Sequence, residues 1–356
     1  MKALSLGMTI GILGGGQLAR MLSFAAARLG FRTIIFAPEK DCAASKVVGN
    51  HIIAAYTDQL ALDHFSRHSD VITYESENVP IESLHYLASQ AFIAPHPKAL
   101  EIAQDRFFEK KFLNEHNLAT APWWGVEDQR TLIAALTACG GDGLLKTRRF
   151  GYDGKGQVRV TGQNRNIARR ALDRIDHVPA ILEGIVDFSK EISMIAARGY
   201  MGDIVFFDIP ENFHKYGILQ RSVVPANLSS KTVRVVQEIT RTILQALHYV
   251  GVIAVEFFVD SKECVYVNEF APRVHNSGHW TEAACVVSQF EQHIRAIAGW
   301  PLGSPLRHSD CVMQNLIGND IMEIPRLLEE SGTFVHHYGK EELRSGRKMG
   351  HVIYLS

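Results

Sequence analysis

Along the first hundred residues, short β-branched runs alternate with stretches whose apolar residues recur every three or four positions. Thr9-Ile10-Gly11-Ile12-Leu13 predicts a strand, and Gln17 opens a helix with Leu18, Met21, Leu22 and Ala25 on one face. Arg32–Phe36 predicts a second strand, stopped by Pro38, and residues 51–54 and 70–74 predict two more, each leading into a helical stretch. Continuous apolar strands separated by helices imply a parallel sheet covered on both faces. This rhythm ends near Pro95-His96-Pro97. Residues 140–156 are glycine-rich, and from 191 to 207 and 252 to 270 long strand-like runs joined by turns favour antiparallel pairing. One helix is predicted over 229–249 and another over 281–298. Parallel α/β followed by antiparallel α+β means at least two architectures, with no internal repeat or flexible linker.

Composition narrows the class. A chain of 356 residues suggests two or three domains, and 46% hydrophobic residues are enough for a sizeable core. The 37 Lys and Arg nearly cancel the 38 Asp and Glu, so no basic footprint points to nucleic acid or an anionic membrane. Cys42, Cys139, Cys264, Cys285 and Cys311 are scattered without C-x-x-C spacing, which argues against a disulfide framework and a zinc site and fits a reducing cytosol. No apolar run reaches the roughly 18 residues needed to span a bilayer. The N-terminus enters its strand-and-glycine pattern directly and reads as mature fold, so the expectation is a cytoplasmic protein.

Five features carry candidate chemistry. Gly14-Gly15-Gly16-Gln17-Leu18-Ala19, with Glu39 beyond the second strand, fits the G-x-G-x-x-A pattern that lets a phosphate approach a helix N-terminus. It is equally compatible with a dinucleotide, another phosphorylated ligand or a tight strand–helix turn. Lys146 lies inside the apolar Leu144-Leu145-Lys146-Thr147, where burial is unfavourable without an anion. The following Gly151, Gly154 and Gly156 would let backbone N–H groups wrap phosphate oxygens; the alternative is an edge-strand lysine beside a mobile hairpin. Glu256 and Glu269 each stand amid apolar strand residues. A two-residue Ser261-Lys262 turn would put them on one face as diagonal neighbours about 7–8 Å apart, spaced for a shared hard cation such as Mg²⁺. Finally, Ala271-Pro272-Arg273-Val274-His275-Asn276-Ser277-Gly278-His279-Trp280 is dense in donors, and Arg344-Ser345-Gly346-Arg347-Lys348-Met349-Gly350-His351 is a compact basic loop.

In order along the chain, Lys146, the glycine hairpin, Glu183-Gly184-Ile185-Val186, Glu191, Glu256 and Asn268-Glu269 resemble an ATP-grasp ligase. More narrowly, the run from Asn268 to Thr281 is similar to that of the N5-carboxyaminoimidazole ribonucleotide synthase family. So are Gly14-Gly15-Gly16-Gln17-Leu18, Tyr74-Glu75-Ser76-Glu77-Asn78-Val79-Pro80, residues 151–157 and Gly346-Arg347-Lys348-Met349-Gly350-His351. The resemblance implies a Rossmann-like parallel domain over residues 1–103, an ATP-grasp region over 104–298 with a mobile lid at about 121–187, and a small C-terminal piece over 299–356. It implies an ADP-forming carbon–nitrogen ligase of purine synthesis that joins bicarbonate to the exocyclic amine of 5-aminoimidazole ribonucleotide. A homodimer and a separate mutase acting on the product are further expectations. The chain stops at Tyr354-Leu355-Ser356, earlier than the resemblance implies, which predicts a thin C-terminal piece.

By the same resemblance, Arg106 and Lys146 hold ATP phosphates under the hairpin of Gly151, Tyr152, Asp153, Gly154, Lys155, Gly156 and Gln157. The hinge run Glu183, Gly184, Ile185 and Val186 meets the adenine, Glu191 the ribose and His214 another part of the nucleotide. Glu256 and Glu269 hold Mg²⁺, for which Mn²⁺ could substitute, with Asn268 beside them. Gln17, Glu75, Asn78, Tyr152, Asp153, Arg273, His275, Asn276 and Ser277 face the ribonucleotide, whose 5′-phosphate falls to Arg347 and Lys348. Asp153, Tyr152, Lys146 and Arg273 form the expected catalytic set, with Asp153 orienting or deprotonating the amine. Three other readings compete. A sister ligase using glycinamide ribonucleotide and formate does not match the run 273–280. A nicotinamide-dependent oxidoreductase rests on Gly14, Gly16, Ala19 and Glu39 and leaves Lys146, Glu256 and Glu269 without work. A non-catalytic nucleotide sensor leaves the whole set without work.

Overall fold

The structure, a computed structural model, describes residues 3–151 and 154–356. Its first sheet has four parallel strands in the order Asn50–Ile52, Arg32–Phe36, Thr9–Leu13, Val71–Tyr74. The helix Gln17–Arg28 buries Leu18, Met21, Leu22 and Ala25, the stripe predicted from their spacing.

A second, antiparallel sheet is ordered Trp123–Val126, Ala180–Gly184, Asp142–Thr147, Gln157–Thr161 and has its own core of Val126, Leu132, Leu145, Val158, Ala168 and Leu182. The large antiparallel sheet runs Val265–Ala271, Gly251–Val259, Lys190–Arg198, Glu211–Lys215, Ile218–Val224, Cys311–Ile317, Lys348–Leu355, Thr333–His337, with Ile204–Phe206 beside Lys190–Arg198. The last three strands of the chain therefore extend the large sheet and form no separate layer.

The main core joins the parallel domain to the large sheet through Ile10, Ile12, Leu22, Ile195, Val252, Trp280 and Ile294. His293 ties the same boundary. It is buried and neutral, its pKa pushed down to about 3 by desolvation. Its Nδ1 accepts from the Val252 N–H at 3.1 Å, which leaves Nε2 as donor to the Thr73 hydroxyl 2.9 Å away.

One predicted helix is broken. The stretch 281–298 folds as Thr281–Ala284 and Gln289–Ile297. Cys285 goes extended and bridges Arg307, and the Ser288 side chain caps the second helix by accepting from Glu291 N. The β-branched Val286-Val287 pair adds little helical preference between them. All five cysteines are unpaired, and no helix among the described residues is long and apolar enough to cross a membrane.

Candidate active site

Lys146 lies on an internal strand of the four-stranded sheet, between Ala180–Gly184 and Gln157–Thr161, so the edge-strand reading is corrected. Its Nζ lies 2.6 Å from Oε2 of Glu183, and Lys110 Nζ lies 3.0 Å from Oε1 of the same carboxylate. All three groups are buried. Burial pulls the Lys146 ammonium down against the pull of Glu183, while for Glu183 burial is overcome by Lys146 and Lys110, which bring its carboxyl down to about 2. The carboxylate of the expected hinge residue is thus committed to two lysines. Ile185, next in line, is exposed on the link between the two antiparallel sheets.

Glu256 and Glu269 come together by a different route from the one expected. The turn holds Ser261, Lys262 and Glu263, with Glu263 left-handed at φ 62°, and the Asp260 carboxylate accepts from the N–H groups of Lys262 and Cys264. That extra residue would move one glutamate to the other face. A bulge at Asn268 restores the parity and sets Glu256 directly opposite Glu269. Directly opposed Cα atoms stand about 4.5–5.5 Å apart, closer than diagonal ones. Two carboxylates at that spacing repel. Burial and the neighbouring Glu269 charge push Glu256 up, whereas for Glu269 burial is outweighed by Arg106, whose Nη1 donates to Oε2 at 2.5 Å, and the pKa falls. The buried Oδ1 of Asn268 has no hydrogen-bond partner among the described residues. Two opposed carboxylates, with an unpaired amide oxygen on the residue preceding Glu269, are of the hard oxygen type that Mg²⁺ prefers.

The glycine-rich first turn is already supplied with an anion by the protein. Glu75, buried, accepts from Gly16 N at 2.9 Å and Ala19 N at 3.3 Å, and a Cβ on Gly14 would stand 2.4 Å from its Cγ. The helix N-terminus is therefore capped by a side chain, and Glu39, which the dinucleotide reading needed, is exposed.

The loop after Glu269 is held from below. The Ser277 N–H donates to His275 Nδ1, so Nε2 carries the proton and faces Oε1 of Glu256 at 3.3 Å. Burial, helped by Arg273, holds His275 neutral with a pKa down to about 3. Ser277 is fully buried in a chain Ser277–Ser193–Asn212–Ser222 with contacts of 2.7, 3.0 and 2.7 Å. Its hydroxyl supports the loop and does not line the cavity. Asn276 exchanges two amide hydrogen bonds with buried Asn315, at 2.9 and 2.8 Å. Arg273 Nε donates to Glu77 at 2.8 Å.

A single cavity of about 970 Å³ connects these groups. Gln17, Glu75, Asn78, Arg106, Gly151, Lys155, His214, Glu256, Glu269, Arg273, His275, Asn276, Arg347 and Lys348 all line it. His214 meets Glu191 at 2.5 Å on its rim-side strand. Lys146, Gln157, Glu183, Gly184, Ile185, Val186, Glu191 and Asn268 lie outside that lining, in the adjoining strands and hinge. The loop bearing Gly154 already rests on the neighbouring Tyr216-Gly217 turn, where a Cβ on Gly154 would stand 2.8 Å from Tyr216 O. Tyr152 and Asp153 lie outside the described residues.

With this geometry, three family descriptions match successive parts of the chain: a ribonucleotide synthetase preATP-grasp domain over residues 7–104, an ATP-grasp domain over 111–290, and a phosphoribosylaminoimidazole carboxylase C-terminal domain over 311–356. The N5-carboxyaminoimidazole ribonucleotide synthase of Brucella melitensis is 56% identical over 97% of this chain and 96% of its own. The chain belongs to the N5-carboxyaminoimidazole ribonucleotide synthase family. An ADP complex of an N5-carboxyaminoimidazole ribonucleotide synthetase superposes with a TM-score of 0.95 at 38% identity, covering 100% of this chain and 94% of that one. The Aspergillus clavatus N5-carboxyaminoimidazole synthase, solved with ADP and 5-aminoimidazole ribonucleotide, does so at 0.92 and 26%, covering 98% and 94%.

Several residues in or behind the site of this N5-carboxyaminoimidazole ribonucleotide synthase family member were not singled out from sequence; of them Glu109 lines the cavity, while Lys110 and Asn315 hold lining or neighbouring groups from behind. Glu109 and Lys110 are buried on the helix Arg106–Glu115, where Arg106, Glu109, Lys110 and Leu113 form one i, i+3, i+4, i+7 stripe. That spacing was the available signal, hidden by the surface-like composition of Glu109-Lys110-Lys111. Asn315 gave none, because a lone Asn in an apolar strand shows no partner until the fold brings Asn276 to it.

Proposed function

We infer that this chain couples ATP cleavage to carboxylation of 5-aminoimidazole ribonucleotide by bicarbonate, giving N5-carboxyaminoimidazole ribonucleotide, ADP and phosphate. The observation that carries this reading is one continuous cavity. Its lining includes Arg106, Glu256 and Glu269 together with Gln17, Asn78, Arg347 and Lys348. Mg²⁺ held by Glu256 and Glu269, with Asn268 adjacent, would neutralise charge on the β- and γ-phosphates.

The protein groups do the rest. A bicarbonate oxygen attacks the γ-phosphorus and the bond to the ADP oxygen breaks, leaving carboxyphosphate. Arg106 and Lys146 stabilise the equatorial oxygens during transfer. The exocyclic amine then attacks the carboxyl carbon, phosphate leaves, and the amine proton passes to Asp153. Arg347 and Lys348 anchor the 5′-phosphate, and the Asn276–Asn315 amide pair keeps Asn276 in one orientation. Closure of the 151–157 hairpin, with Tyr152, keeps water from the mixed anhydride.

Labelled bicarbonate with MgATP and 5-aminoimidazole ribonucleotide should place label in an acid-labile carbamate. Label that stays in bicarbonate while ADP accumulates would overturn the assignment. Asp153→Asn should lose carboxylation while ATP still binds; unchanged carboxylation in that variant would remove Asp153 from its role.

A further inference from the structure

A second group of ligating side chains lies outside the cavity. Glu282 on the short helix Thr281–Ala284, His336 on Thr333–His337 and His351 on Lys348–Leu355 each offer one ligand atom, and these atoms all lie within 4.8 Å of one another. Glu282 Oε2 is 3.2 Å from His336 Nδ1 and 3.7 Å from His351 Nε2. The sheet register fixes the two histidines, because His336 and His351 are direct cross-strand partners. Their rings stack at 5.5 Å, within 20° of parallel.

Two of the polar atoms facing this space lack a hydrogen bond. His351 is fully buried, yet its Nε2 has no hydrogen-bond partner among the described residues, and neither has Glu282 Oε2. Leaving such atoms desolvated and unpaired is unfavourable. At 3.7 Å an N–H from His351 does not reach the carboxylate as a hydrogen bond. The other ring nitrogen, Nδ1, sits 2.9 Å from the Tyr338 hydroxyl. If Nδ1–H donates to that oxygen, the Nε2 lone pair points at Glu282 and His336, the arrangement by which a supporting hydrogen bond orients a metal-binding imidazole.

The spacing also fits. Donors held at about 2.0–2.1 Å around a tetrahedral ion stand roughly 3.3–3.4 Å apart, close to the two contacts that Glu282 makes. Two imidazoles and one carboxylate suit zinc, whereas Mg²⁺ prefers an all-oxygen shell.

We propose that Glu282, His336 and His351 form a binding site for a divalent transition metal of the zinc class, with water completing the shell. Such an ion would tie the segment just after Asn276 to the strand that begins at Lys348. It would thereby fasten together, from outside the cavity, two segments that carry candidate ribonucleotide contacts.

The full-length chain, stripped with chelator and dialysed, is titrated with Zn²⁺ against a chromophoric chelator in excess Mg²⁺. The expected result is one tightly bound Zn²⁺ per chain, with Co²⁺ giving the visible absorption of a four-coordinate site. Glu282→Gln and His336→Asn should each weaken Zn²⁺ by more than about 100-fold, beyond the roughly 10–100-fold that loss of a supporting contact gives. Should either variant fold poorly, Zn²⁺ must still raise the thermal midpoint of the unaltered chain. No stoichiometric Zn²⁺ and no midpoint shift would overturn the proposal and leave only the His336–Glu282 contact. Folded variants that bind as tightly as the parent would overturn it as well, placing the metal elsewhere.

Discussion

Glu183 serves two cations at once, Lys146 and Lys110, and that asymmetry makes a stability prediction. Removing the carboxylate leaves two buried ammonium groups uncompensated, whereas removing Lys146 still leaves Glu183 its bond to Lys110. Breaking a buried pair by deleting one partner costs about 3–5 kcal/mol. Glu183→Gln should therefore lower the denaturation midpoint more than Lys146→Met does, and equal shifts would contradict the shared role. Lys146→Met should instead act on chemistry, lowering ATP-dependent turnover by about 10²–10³-fold, as loss of one preorganised charge does. The pH prediction belongs to Glu256. Its folded pKa is raised by burial and by Glu269, so it holds a proton at pH values where an ordinary carboxylate is ionised. A protonated carboxylate does not ligate Mg²⁺. Mg²⁺ affinity measured by calorimetry should thus rise with pH through a range above the usual carboxylate pKa. In Glu256→Gln that slope should vanish; an unchanged slope would assign the proton to another group.

Among the elements, the strand pair bearing Glu256 and Glu269 shows what was legible. Apolar flanks marked both glutamates as inward-facing strand residues, and a shared face followed from period-two alternation. The true register did not follow, because it depends on a left-handed Glu263 and a bulge at Asn268, each invisible to alternation and each cancelling the other. The parallel strands and the helix Gln17–Arg28 were legible because both faces of the one and one stripe of the other are apolar. The break at Cys285 was not, since Gln289–Ile297 resumes with apolar spacing of its own. Similarly, the glycines after Thr9–Leu13 signalled an anion at a helix N-terminus, but not that Glu75 from another strand supplies it. Two elements can be tested directly. Asn315→Leu leaves Asn276 and Leu219 O without their amide partner, so KM for the ribonucleotide should rise while KM for ATP holds. A parallel rise in both would mean general loosening. Gly154→Ala puts a Cβ against Tyr216 O at a backbone φ of +77°, which only glycine adopts readily. Hairpin closure should suffer, and ADP release in that variant should outrun carboxylation.

At the scale of the molecule, the three sheets divide the work. The parallel domain contributes Gln17, Glu75 and Asn78, the hairpin of the four-stranded sheet contributes Gly151 and Lys155, and the large sheet contributes Glu256, Glu269 and Lys348. A site assembled from all three would couple ATP cleavage to the second substrate by geometry, since the groups proposed for the phosphates and for the ribonucleotide share one cavity. The most direct test is the stoichiometry of that coupling. ADP release is followed with MgATP and bicarbonate, with and without 5-aminoimidazole ribonucleotide, alongside loss of its free amine. One ADP per amine lost, with release strongly dependent on the ribonucleotide and scaling with bicarbonate, is the predicted result. ADP release that ignores the ribonucleotide, or appears only with a different amine substrate, would contradict the account.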